Sequence, residues 1–89
     1  MEPVVIPIDG VLDLHTFAPG ELSVLLDDYI DACLESNIHD LRIIHGKGSG
    51  VLRQRVHALL KKDPRVERYA DAPPEAGGWG ATLATLARR

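Results

Sequence analysis

His45-Gly46-Lys47-Gly48-Ser49-Gly50 is the stretch of this sequence best equipped for chemistry. It follows a short apolar run, Leu41 to Ile44, and precedes a run of helical period, Val51 to Leu60. A strand that ends in a glycine-rich turn and opens a helix is a way to build an anion site. Glycine lets the backbone turn with positive φ, and the first N–H groups of the helix are left free to donate. The positive end of the helix dipole favours an oxyanion such as phosphate. Lys47 adds a full charge, and His45 adds a group that exchanges a proton near neutral pH. Asp13 and His15 form a second contributor, two residues apart on an extended segment and therefore on one face of it.

The elements that must position these groups follow from pattern. Val11-Leu12-Asp13-Leu14-His15 alternates and predicts a strand ending at His15. Pro19 suits a first helical turn. Leu22, Leu25, Leu26, Tyr29, Ile30 and Cys33 then make an unbroken apolar helical stripe, with Asp27, Asp28, Asp31 and Glu35 on the other faces. Asn37 can take the left-handed conformation that ends it. Leu41–Ile44 predicts the second strand. The second helix buries Leu52, Val56, Leu59 and Leu60 and stops at Asp63-Pro64. Val66–Tyr69 and Ala81–Leu86 predict two more strands, joined by a proline- and glycine-rich loop. The order is βαβαββ, with parallel right-handed crossovers first and a hairpin last. The expected fold is a two-layer α/β sandwich, a mixed four-stranded sheet with two helices. If the first two strands are neighbours, His15 and His45 share one rim at their carboxyl ends.

Composition bounds the rest. At 89 residues and 45% hydrophobic, one globular domain is expected. Its parts are an N-terminal arm over residues 1–8, a domain over 9–86 and a tail over 87–89. A single cysteine, Cys33, excludes an internal disulfide and a multi-cysteine zinc site. With no apolar run of bilayer length and no basic leader, a reducing cytoplasm and no membrane partner are expected. The net charge of −3 hides an asymmetry: residues 1–41 balance at −9, residues 42–68 at +6. The local field, not the net charge, governs what approaches the glycine loop. The asymmetry fits either two solvated helix faces of opposite sign or a basic surface for an anionic backbone, in which case Arg53 and Arg55 extend the phosphate contacts.

Three separated motifs carry a family resemblance: Leu12-Asp13-Leu14-His15, His45-Gly46-Lys47-Gly48-Ser49-Gly50, and Gly77-Gly78-Trp79-Gly80-Ala81-Thr82. Together they resemble the Smr (small MutS-related) domain over roughly residues 9 to 86, in a stand-alone form. The resemblance implies a βαβαββ fold similar to the C-terminal domain of translation initiation factor three. It also implies nucleic-acid binding and, in many members, endonuclease activity on DNA or RNA, including messages on stalled ribosomes. Thr16 departs from the first motif, which often continues with glycine.

Phosphodiester cleavage needs a deprotonated nucleophile, a stabilised phosphorane and a protonated leaving oxygen. RNA brings its own nucleophile, the 2′-hydroxyl. Asp13, His15, His45 and Lys47 are therefore the catalytic candidates, with the two histidines exchanging protons from the rim. Gly46, Lys47, Gly48, Ser49, Gly50, Arg53, Arg55 and Trp79 are the nucleic-acid contacts, Trp79 by stacking on a base or else by covering the core. No metal ligand set is read. Asp13 is the one group that could help hold a divalent ion, Mg or Mn, which DNA cleavage would favour. His39 is expected in an exposed linker, His57 on the helix surface and Cys33 inert in the core. Two functions from different classes stand: a small endonuclease, and a non-cleaving RNA-, DNA- or ribosome-binding module. A weaker third is a protein-docking domain using the acidic first helix. A monomer or weak oligomer suits each.

Overall fold

A computed structural model describes residues 7–88. Apart from Pro7 and Ile8, the expected N-terminal arm lies outside the described residues, as does Arg89. The elements run β1 (Val11–Asp13), α1 (Leu22–Glu35), β2 (Asp40–Ile44), α2 (Val51–Lys62), β3 (Val66–Asp71) and β4 (Ala81–Leu86). Short 3-10 turns at Pro19–Glu21, Pro74–Ala76 and Gly78–Gly80 add to this order. Among the described residues no helix is long and apolar enough to cross a membrane.

The sheet order is β1-β2-β4-β3. β1 and β2 are parallel neighbours, with Asp13 opposite Ile44, so the two carboxyl ends do share one rim. β4 inserts antiparallel between β2 and β3 and puts Thr82 beside Ile43. β1 is shorter than the alternation predicts, ending at Asp13. The Leu14 N–H still donates to the Ile44 carbonyl, so the pairing continues one residue further.

One face of the sheet carries the core. Leu12, Leu41, Ile43, Ala84 and Leu86 point inward at period two and meet Leu22, Leu26, Tyr29, Ile30 and Cys33 of α1 and Val56 and Leu60 of α2. Each such aliphatic side chain, fully buried, stabilises the fold by about 1.5–3 kcal/mol. Leu25, Leu52 and Leu59 pack at its margin, half-buried. The Tyr29 hydroxyl accepts from the Gly10 N–H at 3.0 Å and donates to the Val11 carbonyl at 3.2 Å, which fixes β1 against α1. Asn37 ends α1 in the left-handed conformation at φ 59°.

The charge asymmetry is partly internal. Arg65, just before β3, reaches Asp27 and Asp31 of α1 and Asp63 at the end of α2, each at 2.6 Å. Its hydrogen bond holds the Asp63 carboxyl below the usual range, against the opposing effect of burial. Part of the acidic face of α1 is thus matched by a cation from the basic block, although Asp27 and Asp31 stay exposed.

Candidate functional site

The loop from His45 to Gly50 starts at the end of β2 and is tied to the segment before β4. The Gly80 carbonyl accepts from both the His45 N–H, at 3.0 Å, and the Gly46 N–H, at 2.8 Å. Gly46 and Gly50 have φ of 81° and 85°, a region costly for any residue with a Cβ. Gly50 is the cap of α2. No side chain caps that end and no acidic residue lies in its first turn. Its first N–H groups are therefore left for another acceptor, at the positive end of the helix. A groove of about 270 Å³ opens there, lined by His15, His45, Gly46, Gly48, Ser49, Gly50 and the first turn of α2 as far as Arg53.

Within the groove the two histidines differ. His15 and Asp13 are exposed, and the ring Nδ1 sits against Asp13 Oδ1, which also accepts the His15 backbone N–H at 3.0 Å. Desolvation raises the Asp13 pKa, but the hydrogen bonds from the His15 ring and backbone outweigh it and hold the carboxyl below its ordinary value. The carboxylate can only accept, so Nδ1 carries the proton. Nε2 of the uncharged ring is then left with a free lone pair, and His15 lines the groove.

His45 is not the surface imidazole that a loop-end position suggests; it is 4% exposed. The reason lies in β4, which runs alongside β2 and supplies Thr82, fully buried, as a partner. His45 Nε2 is 2.8 Å from Thr82 Oγ1, and Nδ1 is 3.1 Å from the Gly46 carbonyl. A carbonyl must accept, so Nδ1–H donates to it. In the uncharged ring Nε2 then accepts from the Thr82 hydroxyl. His57 completes the chain, its Nε2–H donating to Thr82 Oγ1 at 2.9 Å.

His57 is likewise half-buried, not on the open helix surface. Its ring stands edge-on to Tyr69, 5.1 Å between centroids, and its Nε2 is 3.6 Å from Asp71 Oδ1. Burial first, then the nearby Arg53 charge, push the His57 pKa down, partly offset by Asp71. Arg53 forms a two-point ion pair with Asp71, at 3.0 and 2.8 Å. The pair holds the Asp71 carboxyl below its ordinary range. Arg53 thus borders the groove with its guanidinium already engaged, unlike Arg55. Among the described residues Lys47, Arg55, Lys61 and Lys62 pair with no carboxylate. His39 is half-buried rather than in an exposed linker, and Cys33 is buried as expected.

Thr82, His57 and Asp71 are the participants that sequence reasoning missed. Two signals were present. Thr82 shares the inward face of β4 with Ala84 and Leu86, and His57 stands one turn after Arg53 on α2. Among the described residues no three His, Cys, Asp or Glu side chains converge.

A family model for the Smr domain matches residues 12–87. This chain belongs to the Smr family. The Smr domain of Thermus thermophilus MutS2 has the same fold, with a TM-score of 0.85 at 36% identity over 90% of this chain and 100% of that one. YdaL, a stand-alone small MutS-related protein of Escherichia coli, superposes with a TM-score of 0.82 at 27% identity, covering 89% of this chain and 65% of that one. Among curated proteins, endonuclease MutS2 of Latilactobacillus sakei is 43% identical over 79 residues and that of Thermus thermophilus 39% over 75. These alignments cover 89% and 84% of this chain but 10% of each relative, so the chain spans about a tenth of their length.

Proposed function

We propose that this Smr domain binds a nucleic-acid backbone in the groove between His15 and the glycine loop, and cleaves phosphodiester bonds there. The observation that carries the reading is the convergence, in one groove, of an exposed His15, held from behind by Asp13, with an uncapped helix N-terminus. Similarity to endonuclease MutS2 supports the same reaction class.

In this mechanism His15 is the proton-transfer group. Asp13 holds its Nδ1–H, and Nε2 takes the proton of the attacking oxygen, the 2′-hydroxyl in RNA or water in DNA. As that oxygen bonds to phosphorus, negative charge grows on the non-bridging oxygens, where Lys47 and the loop and helix N–H groups stabilise it. The leaving oxygen departs with a proton returned from His15 or taken from water. His45 works differently. Both of its ring nitrogens are engaged, so it is a positioning residue that fixes the loop to Thr82 and leaves the proton chemistry to His15.

A second reading, a binding module that does not cleave, is favoured by that same sealing of His45, which leaves one exposed histidine in the groove. Incubating the protein with labelled single-stranded RNA and supercoiled DNA, in chelator and in Mg or Mn, separates the two. Cleavage that disappears in Lys47→Ala together with affinity supports the nuclease. Tight, salt-sensitive binding with intact substrate in every condition supports the module.

A further inference from the structure

We infer that the nucleic acid is taken as an unpaired strand, with one base stacked on Trp79 beside the backbone phosphate held at Lys47; this rests on the function proposed above. Trp79 is the single tryptophan of the chain and is 48% exposed. Tyr29 is buried in the core, and Phe17 and Tyr69 pack against it. A large apolar ring left half in water carries a standing hydration cost that contact with another flat ring would relieve.

Its mounting points to that contact. Trp79 lies in the middle of the 3-10 turn Gly78–Gly80. The carbonyl of Gly80 is the one that accepts from both His45 and Gly46, so the root of the indole is fixed to the phosphate loop by two hydrogen bonds. A Cβ on Gly80 would stand 3.0 Å from Lys47 Cγ and 3.6 Å from the Lys47 nitrogen. Glycine at this position therefore lets the turn lie directly against Lys47. The indole root is one peptide, about 3.8 Å, from that contact. Gly78, on the other side of Trp79, borders open space.

A cation for the phosphate and a half-exposed indole whose turn lies against that cation's stem match the repeat of a single strand, in which each backbone phosphate is followed by a base with a π-face. In a duplex those faces are covered by neighbouring base pairs, and the loop could contact only phosphates. The arrangement thus discriminates strandedness without reading base edges.

Because Trp79 is the sole tryptophan, its emission reports this position alone. The protein in chelator is titrated with ten-residue oligodeoxyuridylate, with ten-residue oligouridylate and with a blunt DNA hairpin, each end-labelled so that anisotropy follows binding independently. Quenching that tracks single-strand binding, with a weak response to the hairpin, is the expected result. The single strand with the greater affinity identifies the favoured sugar. Trp79→Ala should lose roughly 5- to 100-fold in single-strand affinity and leave hairpin affinity unchanged, with Trp79→Phe between them. Single-strand binding with unchanged emission, or undiminished affinity in Trp79→Ala, overturns the stacking while the groove remains as the binding site. Failure of all three probes to bind overturns the proposed function and this inference with it.

Discussion

His15 and His45 follow the carboxyl ends of neighbouring parallel strands and line the same groove, yet their surroundings are opposite. His15 stands at the edge strand, exposed, and touches the carboxylate two residues before it. His45 stands inside the sheet, covered by β4, and is joined to Thr82 and through it to His57. The first has a local partner and a free nitrogen; the second has one adjacent and one distant partner and no nitrogen free. What a histidine at a strand end can do is set by whether another strand lies beside it, which the residue type does not reveal.

The largest effect that could break this comparison is on rate. His15→Ala should lower cleavage by ~10²–10⁴-fold with the thermal melt unchanged, since an exposed ring supports little packing. His45→Ala should do the reverse in stability. It leaves the buried Thr82 hydroxyl and the Gly46 carbonyl short of partners, at a cost of about 1–3 kcal/mol, measurable by urea unfolding. A His45→Ala protein as stable as the wild type would place the imidazole outside the fold's support.

Smaller, and pH-dependent, is the contribution of His57. Burial and Arg53 hold its folded pKa below the ordinary 6.5, so the unfolded chain takes up the proton first on acidification. Stability is therefore complete above pH 6.5 and declines as pH falls from there toward the folded value. Urea midpoints measured between neutral and mildly acidic pH should show this decline in the wild type and a flatter profile in His57→Gln. The smallest effect separates the two arginines of the first α2 turns. Arg55→Ala should weaken nucleic-acid binding and reduce its salt dependence. Arg53→Ala should change it less, because Asp71 already engages that guanidinium.

Sequence reasoning reached the fold because it rests on short-range periodicity. The stripe from Leu22 to Cys33, the Asn37 stop and the strand–loop–helix at His45 are each encoded within about a dozen residues, and the three motifs were sufficient to suggest the family. The direct pairing of β1 with β2 stood as a condition in the sequence, and the parallel register of Asp13 with Ile44 meets it. The interior of the site was less legible. His45 is buried by Thr82, 37 positions away, only because β4 enters between β2 and β3, and sequence order does not state that insertion. Arg53 meets Asp71 across 18 positions for the same reason: β3 carries Asp71 past α2. The basic block therefore overstated the cations open to phosphate, since Arg53 and Arg65 are both held by carboxylates.

The central claim is that His15 meets the substrate and His45 does not. Nitrogen-15 NMR of the histidine rings, during titration with a non-cleavable oligonucleotide, tests it most directly. The account predicts that the His15 Nε2 resonance shifts on binding, while His45 keeps a protonated Nδ1 and an accepting Nε2 throughout. A His45 ring that changes its protonation or tautomer on binding while His15 stays silent would contradict it.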